Sequence, residues 1–513
     1  MNFTSAEFLF FFLIFLMIRW VVYPISIEFI FKICGKNKGY NSTGNGIVAP
    51  FPIESKILIF ILLVGSYFFY ASWNYKFLGL LFFTSFLDFF IGNKIHSTNS
   101  LKNRKILLFI SVFVNLSILG FYKYFYFTAD IIIQISNFFG VSFQRPNWNI
   151  LLPAGISFYT FQSLSYTIDV YRRILPAEKS FLRYALYLAF FPQLVAGPIV
   201  VAYEFLPQIK DAYKRKFKDI NLNQAFYFIL LGFIKKSVLA DNISVISDYV
   251  FSSKGHIETL SWTFVLMGMV SYSIQIYGDF SGYTDIARGV ALLFGFHLPE
   301  NFNLPYLASS LTDFWRRWHI SLSTWLRSYL YIPLGGNRFG DFFTYRNLFL
   351  TMLLGGLWHG ASWNFVFWGG LHGLYLGLER YLISKFKNKS YLSDVRPFVK
   401  KVSKFFYTIF IFCLVTCLWV FFRSANIDTA LAIFESIFNF KSGITPSYTM
   451  EMQFYIVCLT VVLAHYFGYF YPNKIRKIFE TEGTLWQFPV YALLSILAVL
   501  YSGELKPFIY FVF

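Results

Sequence analysis

The 513 residues are 57% hydrophobic and 23% aromatic, and only 14% are charged, against about 25% in an ordinary soluble chain. Together with a mean hydropathy of +0.54, this excludes a soluble enzyme with a single anchor and predicts one all-α polytopic membrane domain over residues 1–513. The formal charge of +18 would suggest nucleic acid in a soluble protein, but the basic residues sit in short loops between apolar runs, so the expected partner is the lipid bilayer and not nucleic acid.

Runs of about 20 mostly apolar residues, enough to cross a bilayer as a helix, recur along the chain. They predict spans at roughly 7–25, 57–73, 77–93, 106–123, 151–170, 184–201, 222–240, 260–277, 347–359, 364–383, 405–422, 452–470 and 487–501. Residues 1–7 hold no basic cluster and the apolar run from Phe8 outlasts a signal-peptide core, so the first run is expected to be a permanent span. Basic and non-basic loops alternate. Loop 32–56 carries Lys36 and Lys38, loop 94–105 carries Lys102 and Arg104, and Arg172, Arg173, Lys179 and Arg183 follow residue 171. Between them, the turn near Asn74 has Lys76 and loop 124–150 has only Arg145. The positive-inside rule then puts the basic loops, with 385–404, in the cytoplasm and the N-terminus outside.

The alternation breaks at 184–201. This segment contains Pro192, Gly197 and Pro198 and has basic residues on both sides, including Lys214, Arg215 and Lys216, which predicts a re-entrant element, tolerated where it is buried in protein or lines a cavity. Residues 278–346, with Gly278, Gly282, Pro299, Pro305, Pro333, Gly335 and Gly336, read as short helices and loops set into the cytoplasmic half of the membrane. The cysteines, Cys34, Cys413, Cys417 and Cys458, form no CxxC pair and no metal spacing. Neither a disulfide nor a catalytic cysteine is expected, and Cys413 and Cys417, one turn apart, suit small apolar filler on a buried helix.

Two segments carry chemistry. With 313–329 and the preceding Thr312 wound as one helix, Thr312, Arg316, Ser323 and Arg327 fall within about 60° of each other, Trp318, Leu322, Trp325 and Tyr329 lie opposite, and His319 sits at the edge of the polar face. Such a stripe suits an interfacial helix with snorkelling arginines, or the mouth of a site where arginines hold phosphate. In 353–365, His359 ends an apolar run beside Gly360. An ionisable group at membrane depth is a functional hypothesis by default. Neutral imidazole is cheaper there than a carboxylate and accepts a proton near neutral pH. Gly355, one turn earlier, leaves room for a ligand at the ring. The alternative is a hydrogen-bonded packing histidine, the role favoured for His372. His465 and His297 have no neighbours that suggest chemistry, and Asp279 and Asp285, flanking a Gly-Tyr-Thr turn, are expected to cap the following helix. No Walker or Rossmann pattern occurs.

The run Asp313-Phe-Trp-Arg-Arg-Trp-His-Ile-Ser-Leu-Ser-Thr-Trp-Leu-Arg, followed by Tyr331-Ile-Pro-Leu-Gly-Gly-Asn-Arg, resembles the signature of bacterial membrane-bound O-acyltransferases of the alginate and peptidoglycan O-acetylating type. Segments 152–162, 191–199 and 279–287 and the C-terminal Phe508-Ile-Tyr-Phe extend the resemblance over nearly the whole chain. Teichoic-acid D-alanyl transferases share the histidine segments and match less well elsewhere. Ser328 replaces an acidic residue of the pattern and Val512 a polar one.

The resemblance implies a ring of about 11–13 helices with re-entrant segments around a central funnel, and a catalytic region near 278–360. His359 matches the family's central histidine and His319 its second one. It implies acyl transfer from a cytoplasmic thioester donor, acetyl-CoA or an acyl carrier, with no bound cofactor and no metal, to a cell-surface polysaccharide. His359 would act as general base, and His319 would position the donor or stabilise the oxyanion. Arg316, Arg327, Trp315, Ser323, Asp313 and Asn364 would hold the donor. It further implies a periplasmic or membrane-attached SGNH esterase-like acetyltransferase partner and a place in the bacterial inner membrane. The alternatives are a transporter or flippase for an acylated intermediate, D-alanyl transfer to teichoic acid, or an inactive scaffold. A transporter would favour paired repeats or charged intramembrane couples, which the sequence pattern does not show.

Overall fold

In a computed structural model of the chain, residues 3–33, 53–195, 197–252, 254–386, 397–472, 474, 478, 487–504, 506 and 508 are described. Lys36 and Lys38, Cys34, residues 387–396 of loop 385–404 and Val512 lie outside them. Among the described residues the structure is helical, with one isolated bridge pairing Leu260 with Ile444. Among the described residues, five helical runs are long and apolar enough to cross a membrane: Ala6–Ile30, Ile53–Ser97, Leu101–Phe138, Lys401–Arg423 and Tyr448–Phe470. The protein is therefore polytopic and all-α. The predicted spans 57–73 and 77–93 are continuous except for one tight turn at Tyr75–Phe77. Span 106–123 extends much further, because a π-helical turn at Gly120–Tyr124 leads into the helix Phe125–Phe138.

The chain gathers into two compact units. One comprises Met1–Tyr122, Ile150–Ile229 and Asp285–Pro299, and the other Lys123–Asn149, Leu230–Thr284 and Glu300–Phe513. In the first, segment 184–201 is broken as expected: the helix Phe181–Ala189 stops at an extended Phe190, and Pro192 opens the single turn Phe191–Leu194. The break is tolerated because the segment is enclosed by protein, with Tyr184 through Phe191, Gln193 and Leu194 at 0% exposure. Gly155, at φ +73°, begins the adjacent buried helix Ile156–Tyr171, and a Cβ there would stand 2.3 Å from the Leu194 carbonyl oxygen. Only glycine fits both constraints.

The second unit corrects the reading of residues 278–285. Trp262–Leu293 is one uninterrupted helix of 32 residues, so Gly278 and Gly282 are not breakers. They are points of close approach: a Cβ on Gly278 would lie 2.9 Å from the Lys235 carbonyl oxygen, and one on Gly282 would lie 2.6 Å from that of Gly232. The facing turn Ile234–Ala240 is π-helical. Asp279 sits mid-helix and does not cap. It shares the buried Lys236 ammonium with Asp241, at 2.7 and 2.6 Å. Breaking such a buried pair from one side typically costs about 3–5 kcal/mol. Cys413 and Cys417 are exposed on their helix and so are not core filler.

Short helices and loops do follow from Glu300 to Gly340. After them, the helix Asp341–His359 packs along Trp363–Phe386. Glycines let the two backbones meet: a Cβ on Gly356 would fall 2.3 Å from the Phe365 carbonyl oxygen, and one on Gly369 would fall 2.4 Å from that of Met352.

Candidate active site

The segment after Asn301 is not the single helix that its periodicity predicts. It forms two short helices, Leu311–Arg317 and Ile320–Leu326, separated by an extended Trp318 and a left-handed His319 at φ +43°. The break has a distant cause. Asn301 accepts the Ile320 amide on its carbonyl oxygen at 3.0 Å, and its side-chain oxygen accepts the Ser321 amide at 3.0 Å and hydroxyl at 2.9 Å. The Asn303 amide donates to the Arg317 carbonyl at 2.9 Å. Glu379 fixes the other end, its carboxylate taking the Leu311 and Thr312 amides at 2.8 and 3.1 Å and the Thr312 hydroxyl at 2.7 Å. A carboxylate at a helix N-terminus answers both the orphan N–H groups and the dipole. A non-glycine residue in the left-handed region costs of order 1–3 kcal/mol and persists where its surroundings impose it, commonly at functional sites.

The kink drives His319 inward. The ring is 0% exposed, and neither of its nitrogens has a hydrogen-bond partner among the described residues. It meets Phe280 edge-on at 4.7 Å between centroids, and Phe280 in turn packs on Phe508 at 5.7 Å. His359 closes the helix Asp341–His359, is 4% exposed, and stands 6.3 Å from His319, centroid to centroid. Trp368 and Phe422 each meet the His359 ring edge-on at 5.2 Å. Gly360 is required next to it, since a Cβ there would be 1.9 Å from the Phe365 ring. The space expected beside Gly355 is filled instead by Leu326, whose Cδ1 would be 3.1 Å from a Cβ at that glycine.

The remaining predicted residues divide. Arg316 and Arg327 are exposed, with no hydrogen bond or ion pair among the described residues, while Trp318, Leu322 and Trp325 are buried. The two-sidedness survives, although the arginines now belong to different helical pieces, Arg327 opening the π-helical turn Arg327–Tyr331. Ser323 is half-buried and donates to the Trp318 carbonyl at 3.3 Å. Asp313 accepts from Arg317 Nε at 2.9 Å and from the Ser309 amide at 3.1 Å. Trp315 Nε1 donates to His372 Nδ1 at 3.3 Å, and Asn364 Nδ2 donates to the Ser424 carbonyl at 2.6 Å. These contacts tie the framework together.

The sequence reading missed Lys123 and Tyr124. Lys123 Nζ donates to the carbonyl oxygens of Trp358 at 2.5 Å and His359 at 3.0 Å, and the Tyr124 hydroxyl to that of Leu357 at 2.7 Å. The signal was a lone lysine closing the apolar run 106–123.

Comparison with known proteins gives the family. The profile of the membrane-bound O-acyltransferase family matches residues 172–425, which include both histidines. A probable alginate O-acetylase of Azotobacter vinelandii is 40% identical over 413 residues, covering 80% of this chain and 79% of that protein. A peptidoglycan O-acetyltransferase of Helicobacter pylori is 38% identical over 402 residues, 73% of each chain. A teichoic acid D-alanyltransferase of Bacillus subtilis is 29% identical over 244 residues, 45% of this chain and 60% of that one. With similarity of this extent on either side of a buried histidine pair, the chain belongs to the membrane-bound O-acyltransferase family and is a multi-pass membrane O-acyltransferase.

Proposed function

We propose that the protein moves an acyl group, acetyl by its similarity to the alginate and peptidoglycan O-acetylating proteins, from a cytoplasmic thioester to a hydroxyl that leads to a cell-surface polysaccharide. The observation that carries this is the buried pair His319 and His359, 6.3 Å between ring centroids, with neither His319 nitrogen bonded to a described residue. A hydrogen bond reaches about 3 Å between heavy atoms, so one small reacting group fits within reach of both rings. His359 removes the proton from the attacking hydroxyl. The oxygen adds to the thioester carbonyl, and His319 donates an N–H to the developing oxyanion. Collapse breaks the C–S bond, and the thiolate leaves with the proton that His359 took. The protein supplies no bound cofactor or metal to this scheme; the acetyl-CoA or acyl carrier is a substrate. Arg316 and Arg327, exposed and unbonded beside the His319 kink, receive its phosphates.

In this reading the basic loops face the cytoplasm of a bacterial inner membrane, and the acceptor, alginate-like polymer, peptidoglycan or a serine of an SGNH esterase-like partner, approaches from outside. The deciding experiment is thioester turnover by purified protein in liposomes, followed by release of free thiol and by labelled acetyl reaching an acceptor hydroxyl. His359→Gln keeps size and polarity but not the base. It should insert and purify normally while turnover falls by a factor of about 10² to 10⁴. Near-parental transfer by this variant would remove His359 from the role of base.

A further inference from the structure

We infer that Lys123, with Tyr124, is a positioning residue for His359, fixing the base by capping the helix that ends on it; this rests on the reading of His359 as the base. The last carbonyls of any helix lack intrahelical partners. At an exposed end, water supplies them. Here the end is the buried site itself, and the three final carbonyls, of Leu357, Trp358 and His359, are all taken by two consecutive side chains of another helical run. The ammonium serves two of them at once, at 2.5 and 3.0 Å. Charged donors make shorter and stronger bonds than neutral ones, and a cation complements a helix C-terminus. The π-helical turn Gly120–Tyr124 is the local feature from which Lys123 and Tyr124 both reach these carbonyls, and such bulges recur at functional sites.

On the far side, the chain leaves His359 through an extended Gly360 against the Phe365 ring. The His359 backbone is thus gripped from both directions, and removing one grip frees the terminal turn. Displacement of a reacting group by about 1 Å costs on the order of 10² in rate. The effect is expected on kcat, since the polar atoms of Lys123 and Tyr124 are engaged by the helix-end carbonyls.

The test is Lys123→Met in the full-length protein in liposomes, with Lys123→Arg alongside. We expect Lys123→Met to accumulate, with kcat for thioester turnover down by about 10- to 10²-fold and donor KM within a factor of about two. Lys123→Arg, which still offers several N–H donors, should recover most of kcat. A Lys123→Met protein with parental kcat per folded molecule overturns the inference, as does an arginine variant no better than methionine. If Lys123→Met fails to accumulate, the decision passes to Tyr124→Phe, which removes one hydroxyl. A several-fold loss of kcat at unchanged KM supports the inference, and parental kcat overturns it. The assay of His359→Gln keeps the two ideas apart: an inactive His359→Gln with an unaffected Lys123→Met defeats only the positioning role.

Discussion

The kink that carries His319 and the helical turn that carries His372 are built from the same materials. Each places an imidazole at 0% exposure against tryptophan: His319 lies 6.0 Å from Trp358, and His372 lies 4.6 Å from Trp368 and 5.3 Å from Trp315. The difference is in what the nitrogens do. His372 Nδ1 accepts from Trp315 Nε1 at 3.3 Å, whereas neither nitrogen of His319 is bonded to a described residue. Their backbones differ as well, one lying within the regular helix Trp363–Phe386 and the other in the left-handed region. Buried polar groups are normally bonded, and the exceptions call for an explanation. A strained, unbonded imidazole next to a second histidine suits a group kept for a ligand. A relaxed, bonded one suits packing. Burial and residue type alone do not separate the two.

The sharpest way to break this comparison is to make the same change at both sites. His319→Phe keeps a ring of similar size on Phe280 and Trp358 and removes both nitrogens. No hydrogen bond to a described residue is lost, so the variant should fold as well as the parent or better, since an apolar group replaces an unsatisfied polar one. Removal of one oxyanion donor typically costs about 10² to 10³ in kcat, and a loss of that order is expected in the liposome assay. Parental kcat in His319→Phe would make His319 a packing residue like His372.

Arg316 and Arg327 give the intermediate effect. Both guanidiniums are exposed on the kinked segment and have no hydrogen bond or ion pair among the described residues, so alanine at either should leave membrane accumulation unchanged. Donor KM should rise by about 10-fold, one charge-assisted contact being worth roughly 1.5–3 kcal/mol, with kcat less affected. Loss of accumulation in both variants would show that the arginines hold the helices, and an unchanged KM would remove them from the donor site.

Part of this arrangement was legible in the sequence and part was not, for physical reasons. His359 stood out because an ionisable residue beside glycine at the end of an apolar run has few uses. The break at 184–201 was visible because proline cannot continue a helix locally. The His319 kink was invisible. Its local pattern fits an unbroken amphipathic helix, and the break comes from Asn301, eighteen residues earlier in the chain. Gly278 and Gly282 misled in the opposite direction. Read as breakers, they lie within a helix whose backbone meets another turn too closely for a Cβ. A glycine in a long apolar stretch reports either flexibility or contact, and only the tertiary partner decides which. Lys123 closes a predicted span in the sequence and so looks like a boundary residue, whereas a lysine at membrane depth needs a named acceptor.

The smallest effect on activity, and the one that completes the comparison, belongs to His372. His372→Phe deletes the acceptor of the Trp315 indole, leaving a buried N–H that costs about 1–3 kcal/mol when unsatisfied. Yield and thermal stability in detergent should fall, while turnover per folded molecule stays within a factor of about two, because no reacting group has been touched. His372→Gln offers the indole a carbonyl oxygen in place of Nδ1 and should recover most of the stability. Phenylalanine is thus expected to silence the protein at 319 without unfolding it, and to weaken it at 372 without silencing it. If His372→Phe instead purifies like the parent but loses turnover by a factor of 10² or more, the bond to Trp315 is no sign of a packing role. The ring series from His359 through Trp368 to His372 would then have to be counted as part of the site.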